Sequence, residues 1–221
     1  MGEPDRPLPP PAGTPALRTV APGTWWRVHR HSKRTGEYAP QAFNDSGLGH
    51  ARFSPLKNGK RVVPTLYAAQ TLEAALMETA LHDVPYPSEG HIHDLQRDLQ
   101  SDLHASQIEL RTPLQLVDLS KLGLQRMGLR VSQLFETDAD DYARTQAWAR
   151  WLHTALPDAQ GLYWLCTRQP ECAGLMLFGE RIHKAGVKAA AAPSLHLSHP
   201  DVLGALLGLL NRLGCGVASD R

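Results

Sequence analysis

The segment PTLYAAQTLEAALMETALH, residues 64–82, contains the change from strand to helix that decides the fold class. Residues 64–68 include β-branched and aromatic side chains and predict a strand. Residues 71–82 predict a helix, because Thr71 is a suitable N-cap and Glu73 lies in the first turn, where the helix dipole favours a carboxylate. The segment therefore predicts that strands and helices share one fold.

The rest of the chain carries the same two patterns. Strands are predicted for residues 25–29, 108–119 (interrupted by Pro113), 161–166 and 173–178, and helices for residues 138–156 and 200–213. Strands precede, interrupt and follow the helices, which favours α+β over a regular βαβ series. We therefore predict a single α+β domain with mixed or antiparallel small sheets and flanking helices.

Proline is concentrated at the N-terminus, where seven of the 17 prolines lie in the first 22 residues. Proline removes backbone donors and blocks helix formation, so we predict a disordered Pro-rich leader over residues 1–22. The folded domain then covers residues 23–221 and ends with the C-terminal helix. A leader of this kind buries little surface, so its deletion is expected to leave folding and activity intact.

The charge balance excludes some classes of partner. The chain has 23 lysines and arginines against 22 acidic residues, so it lacks the basic surface that nucleic-acid binding or attachment to an anionic membrane requires. Its longest apolar run has nine residues, 202–210, well short of the ~20 that span a bilayer. Three cysteines without CxxC spacing and no apolar signal segment at the N-terminus favour a cytoplasmic location.

Three charged residues are candidates for a functional site. Glu78 lies in the middle of the predicted helix, which is apolar on almost every side, and a buried carboxylate needs a partner. It is either a structural ion-pair partner of an arginine or a poised carboxylate that lines a cleft. Arg27 lies in an aromatic strand and Arg52 in the turn GHARFSP, residues 49–55, and guanidinium groups bind phosphate or carboxylate bidentately.

Three other motifs give weaker evidence of a functional site. The stretch GLG at residues 47–49 lacks the third glycine and the strand–turn–helix frame of a dinucleotide-binding loop. His91 and His93 lie among charged residues in a predicted solvated loop without HExxH spacing, so no metal is expected. Cys166 is by default a buried structural thiol.

Seven short blocks occur in an order that resembles the RES-domain family and together span residues 24–181. They are WRV (26–28), ARFSP (51–55), TLYAA (65–69), EAALME (73–78), LVDL (116–119), TQAWA (145–149) and GLYW (161–164). The resemblance implies an ADP-ribosyltransferase-like fold that consumes NAD as a substrate. It also implies the role of a toxin that is paired with an Xre-like antitoxin protein.

The family motif assigns roles to individual residues. It implies Arg27 and Arg52 as clamps for the NAD pyrophosphate, Tyr67 as a wall of the nicotinamide pocket and Glu78 as the catalytic carboxylate. The family serine is replaced here by Cys166, with Thr167 beside it. We therefore predict Arg27, Glu78 and Cys166 as catalytic residues, and Arg27, Arg52, Tyr67 and Thr167 as NAD-binding residues.

The implied reaction is cleavage of the nicotinamide–ribose bond by hydrolysis or phosphorolysis, with the carboxylate stabilising an oxocarbenium-like centre. The same residue set would also serve an ADP-ribosyltransferase that modifies a protein target. Two other possibilities stay open, a catalytically weak NAD-binding or interaction module and a zinc-dependent hydrolase that uses the histidines.

Overall fold

The computed structural model describes residues 11–33, 36–85, 88–135 and 142–218. Its strands are β1 Leu17–Val20, β2 Gly23–Arg30, β3 Ser32–Lys33, β4 Gly36–Glu37, β5 Leu56–Asn58, β6 Arg61–Val63, β7 Thr65–Ala69, β8 Ile92–His93, β9 Leu103–Leu110, β10 Leu114–Asp118, β11 Gly161–Cys166, β12 Gln169–Phe178, β13 Val187–Ala189, β14 Leu195–His196 and β15 Gly216–Val217. The α-helices are α1 Leu72–Met77, α2 Leu95–Gln100, α3 Lys121–Arg126, α4 Tyr142–Ala155 and α5 Pro200–Arg212, and Val131–Gln133 and Gly179–Arg181 are 3-10 turns.

The central element is one mixed sheet, which has nine strands in the part of the chain described. Eight strands follow the order β1-β10-β11-β12-β7-β2-β9-β13, and β14 also pairs with β9. Strands β10 and β11 run parallel, and the other pairs in this sheet are antiparallel. The predicted α+β class is confirmed, but the strands expected to form small sheets mostly join a single large one.

Helices cover the sheet and complete the core. Leu206, Leu209 and Leu210 of α5 pack with Leu76 of α1 in one buried cluster. Helix α4 contributes Trp148 and other residues to a second cluster against β11 and β12. The apolar stripe of the predicted C-terminal helix is therefore core packing. No helix in the described ranges is both long and apolar enough to cross a membrane.

The prediction of a disordered leader is wrong for residues 17–20, which form β1 and pair antiparallel with β10. Val20 is buried, and Arg18 Nη2 lies 3.3 Å from a carboxylate oxygen of Asp118. Residues 16–21 contain no proline, so every backbone N–H there can donate to the neighbouring strand. Residues 1–10 of the predicted leader lie outside the described residues.

The helix predicted for residues 71–82 is shorter in the structure. Thr71 is the N-cap as predicted, since its hydroxyl accepts a hydrogen bond of 3.1 Å from the Ala74 amide. The helix ends at Met77, and Glu78 is its C-cap and not a mid-helix residue. The following turns are held by Arg168, whose guanidinium donates to the carbonyls of Leu81 and Val84, so the chain leaves the helical path.

Smaller corrections concern three other segments. The predicted solvated loop around His91 contains β8, which pairs with β15, and His93 Nε2 lies 2.7 Å from a carboxylate oxygen of Asp98. The strand predicted for residues 108–119 is two strands, β9 and β10, separated around Pro113. The helix predicted from residue 138 is described from Tyr142, because residues 136–141 lie outside the described ranges.

Candidate functional site

A cleft of about 240 Å³ opens where β2 and β7 of the main sheet meet the C-terminal end of α1. It brings together four of the residues predicted from sequence, which are Arg27, Arg52, Tyr67 and Glu78. Each comes from a different segment of the chain. The cleft is therefore the candidate functional site.

Arg27 contributes a partly buried positive charge from the middle of β2. Its Nη1 donates to the carbonyls of Pro40 and Ala42, at 2.7 and 2.6 Å. Burial lowers the pKa of its guanidinium to about 10. Among the described residues no carboxylate forms an ion pair with Arg27. A partly buried cation without a carboxylate partner is suited to bind an anionic ligand.

Glu78 contributes a carboxylate from the end of α1. It is exposed toward the cleft but enclosed by protein on its other sides, so a ligand can reach it although it is poorly hydrated. This enclosure raises the pKa of Glu78. The positive charge of Arg52 and the nearby donor groups of Cys166 and Trp164 act in the opposite direction.

Arg52 is positioned by a loop that α4 holds in place. Its Nη1 donates to the carbonyl of Leu134 at 2.8 Å, and its guanidinium lies over the Tyr142 ring, 5.3 Å from the centroid. The Thr145 hydroxyl donates to the backbone carbonyl of Arg52. Gln146 Nε2 donates to two further carbonyls of the loop, those of residues 51 and 54, each at 3.0 Å. The TQAWA block, residues 145–149 of α4, therefore supports the loop that carries Arg52.

Tyr67 forms one wall of the cleft from β7. Its hydroxyl accepts a hydrogen bond from the Phe53 amide at 3.2 Å, which ties the strand to the Arg52 loop. Its ring meets the Trp164 ring edge-on, with centroids 6.2 Å apart. Burial raises the pKa of the phenol, so Tyr67 acts here as a neutral aromatic surface.

The structure distinguishes the two residues at the predicted serine position. Cys166 is buried at the end of β11, and its thiol lies close enough to Glu78 to act as a donor to the carboxylate. Burial and the charge of Glu78 raise the pKa of the thiol, so Cys166 is a donor and not a thiolate nucleophile. Thr167 is exposed in the turn between β11 and β12 and lines no part of the cleft. The chain turns immediately after Cys166, which places Thr167 outside the cleft, and its NAD-binding role stays a prediction.

Several residues of the cleft were not predicted from sequence. The cleft is also lined by Trp26, His50, His82, Tyr142 and Trp164. Arg168 holds the turn that follows Glu78, as described above. Two of these positions, Trp26 and Trp164, lie within blocks that carried the family resemblance, but a sequence block does not show which way a side chain points. Within the described ranges, no three His, Cys, Asp or Glu side chains converge as metal ligands would.

Comparisons with known proteins relate this chain to one domain family and to one solved fold. A model of the RES domain matches residues 24–199. No curated protein matches the chain. Among solved structures, one chain from the crystal structure of the M. tuberculosis MbcT–MbcA toxin–antitoxin complex superposes with a TM-score of 0.54 at 16% sequence identity. The match covers 80% of this chain and 86% of that chain, and at this identity it shows a shared fold.

Proposed function

The chain belongs to the RES domain family, and we propose that it is a toxin that degrades NAD by cleaving the nicotinamide–ribose bond. One observation carries the proposal. A partly buried arginine that has no carboxylate partner among the described residues, Arg27, and a carboxylate whose pKa is raised by burial, Glu78, line the same cleft. An anionic substrate that develops positive charge during reaction needs both groups.

The arginines are the proposed binding groups for the pyrophosphate of NAD. One nitrogen of the Arg27 guanidinium is used by two backbone carbonyls, and its Nη2 and Nε have no acceptor among the described residues. These donors can bind phosphate oxygens in a charge-assisted way. Arg52 adds a second positive charge, and its loop is fixed by Thr145 and Gln146. Preorganised donors of this kind cost little reorganisation when the substrate binds.

Glu78 is the proposed catalytic residue. When the bond between ribose C1′ and the nicotinamide nitrogen breaks, its electron pair leaves with nicotinamide and positive charge develops at C1′. A nearby carboxylate stabilises this oxocarbenium-like centre, as in glycoside hydrolysis. Poor hydration strengthens the field of Glu78 at that atom. Tyr67 supplies an aromatic wall against which the nicotinamide ring can pack.

The acceptor is proposed to be water or phosphate. The Glu78 carboxylate faces the open side of the cleft, so a small nucleophile can approach C1′ after nicotinamide departs. Transfer to a protein side chain is the alternative for the same residues. A catalytically weak NAD-binding module is the alternative without turnover.

Control by a partner belongs to the same proposal. We propose an Xre-like antitoxin that binds this chain, which is supported by family membership and by the toxin–antitoxin complex in which the related fold was crystallised. A cytoplasmic location is also proposed. It is supported by the three cysteines, all of which are free thiols.

The test is incubation of the purified protein with NAD, with and without inorganic phosphate. We expect release of free nicotinamide, measured by liquid chromatography. ADP-ribose as the second product would identify hydrolysis, and its 1″-phosphate would identify phosphorolysis. Radiolabel retained on protein would instead identify ADP-ribosyl transfer. NAD that binds but stays intact would favour the binding module, and NAD that neither binds nor reacts would contradict the proposal.

A further inference from the structure

Trp164 carries a buried hydrogen-bond donor with no partner in normal geometry. The residue lies on β11 and is 3% exposed, and its indole Nε1 forms no hydrogen bond. Nearly all buried donors in proteins are paired, so an unpaired one needs an explanation. Because Trp164 lines the cleft, we expect the partner of its N–H to be a group in the cleft.

The indole ring is held in place by its surroundings. Gly174 of β12 lies opposite Trp164 in the antiparallel register. A Cβ at Gly174 would lie 2.7 Å from both Cε2 and Nε1 of the indole, so only glycine leaves room for the ring. The rings of Phe53 and Phe135 pack against the indole, with centroids 5.5 and 6.1 Å away. The direction of the N–H is therefore fixed by the fold.

Glu78 lines the same cleft as Trp164 and carries acceptor oxygens for this donor. An indole N–H beside the Glu78 carboxylate favours its charged form. Active-site hydrogen bonds are often poorly aligned without substrate, so a rotation of the flexible glutamate side chain can complete this one. We propose that Trp164 is a positioning residue, whose indole N–H donates to the Glu78 carboxylate and holds it in place in the cleft. Its catalytic consequence rests on the proposed NAD cleavage.

Several other charged or titratable groups surround Glu78, and they stay unchanged when Trp164 is substituted. They are Arg52 on its loop, Cys166 and Arg168 at the end of β11, Tyr67 on β7 and Tyr142 on α4, with Arg27, His50 and His82 lining the same cleft. A substitution that removes only the indole N–H therefore isolates its effect.

The first experiment compares Trp164→Phe with Trp148→Phe across the pH range of nicotinamide release. Trp148 is a buried tryptophan that does not line the cleft, so it controls for lost packing. Removing a donor from the carboxylate raises its pKa, so the acid limb of the kcat profile of Trp164→Phe should move up by roughly one pH unit. Activity should recover toward that of the parent protein at high pH, while KM changes little.

The second experiment does not depend on NAD cleavage. The protein has five tryptophans, and after labelling with 15N-tryptophan each gives one indole N–H resonance. The resonance that is missing from the spectrum of Trp164→Phe is assigned to Trp164. We expect this resonance to titrate with the ionisation of Glu78, and the titration to disappear in Glu78→Gln. Gly174→Ala, which displaces the indole but keeps its N–H, should also abolish the titration.

The outcomes separate this inference from the proposed function. A Trp164 resonance that titrates with Glu78 in a protein that does not cleave NAD would support the contact and contradict only the proposed function. A resonance insensitive to both pH and Glu78→Gln would overturn the inference, whether or not NAD is cleaved. A loss of kcat in Trp164→Phe that is the same at every pH would also overturn it, since the role would then be structural.

Discussion

Two arginines, Arg27 in the cleft and Arg181 beside the end of α4, show two uses of the same side chain. Arg181 donates from both terminal nitrogens to the carbonyls of His153, Leu156 and Ala159, at 2.6 to 2.8 Å. Next to it, His153 Nε2 lies 2.9 Å from a carboxylate oxygen of Glu180. Arg27 instead donates from one nitrogen, Nη1, to two carbonyls and has no carboxylate partner among the described residues.

The difference separates a polar cluster that is paired within the protein from one that is suited to bind a ligand. Around Arg181 the donors meet acceptors that the protein itself provides, including carbonyls that the end of α4 leaves unpaired. Around Arg27 and Glu78 the protein leaves charge and hydrogen-bonding capacity unused. Incompletely paired polar groups are costly in a folded protein, so their collection in one cleft favours ligand binding over stability.

The largest expected effect is that of Glu78→Gln, which removes the charge and keeps the size. Turnover should fall by about 10²–10³-fold, the scale for one preorganised electrostatic group. Burial raises the pKa of Glu78, so ionisation of this group weakens folding at pH values above its folded pKa. The variant should therefore melt at the same temperature as the parent or higher, in calorimetry on the preparation used for kinetics. Normal turnover with a lower melting temperature would instead identify Glu78 as a structural ion-pair partner.

The next effect tests the two arginines against each other by substitution with methionine. Arg181→Met leaves helix-end carbonyls unpaired and should cost about 2–3 kcal/mol of unfolding free energy in urea titrations, with little change in NAD affinity. Arg27→Met should lower NAD affinity by about 10–100-fold, the equivalent of one charge-assisted hydrogen bond, with a smaller effect on stability. If both variants lose stability and neither loses affinity, the contrast between the two regions is wrong.

A moderate effect is expected from pH at His29, a buried group that is paired like the Arg181 cluster. Its Nε2 lies 2.9 Å from the Ser106 hydroxyl and its Nδ1 lies 2.6 Å from the carbonyl of Arg30. Burial, and then the charge of Arg27, lower the pKa of His29 to about 4. At pH values below the ordinary histidine pKa of 6.5, the unfolded chain therefore binds a proton at His29 that the folded protein does not bind. Stability should therefore fall as pH decreases, by about 2 kcal/mol between pH 6.5 and 5.

The control for this prediction is His29→Gln, which cannot titrate. Urea titrations at pH 5, 6.5 and 8 should give a flatter dependence of stability on pH for the variant than for the parent. Identical slopes would show that other groups, such as the neighbouring His104, whose pKa is also lowered by burial, determine the acid sensitivity.

A smaller effect is expected from removing residues 1–20. The sequence alone predicted no cost, but β1 pairs with β10, buries Val20 and places Arg18 beside Asp118. Loss of this edge strand should lower stability by about 1–2 kcal/mol, given one buried valine and a partly exposed ion pair. A chain that begins at residue 11 keeps β1 and is the matched control. Equal melting temperatures would restore the leader hypothesis.

The smallest effect is expected from Cys166→Ser. The hydroxyl is a better hydrogen-bond donor to Glu78 than the thiol, so turnover should stay the same or rise by a few-fold. Thr167→Ala should change turnover less, because Thr167 is exposed outside the cleft. Nicotinamide release measured for both variants checks the order. A larger loss in Thr167→Ala would mean that the serine position of the family falls on Thr167.

The sequence by itself was enough to predict the fold class and four residues that line the cleft, Arg27, Arg52, Tyr67 and Glu78. Alternation and β-branched content located β2, β7 and β11 because these signals are local. Thr71 was identified as a cap for the same reason. The charges of Arg27 and Glu78 were conspicuous because each lies in an apolar segment, where a charge needs a partner or a function.

Only the tertiary structure decided which groups meet. The pairing of β1 with β10, the end of α1 at Met77 and the contact between Trp164 and Gly174 depend on residues far apart in the chain. Long-range pairing depends on the total burial and hydrogen bonding of the whole sheet, and no local window contains that information. For the same reason the sequence left both Cys166 and Thr167 as candidates for the family serine position. The direction of the chain at the β11–β12 turn places only Cys166 beside Glu78.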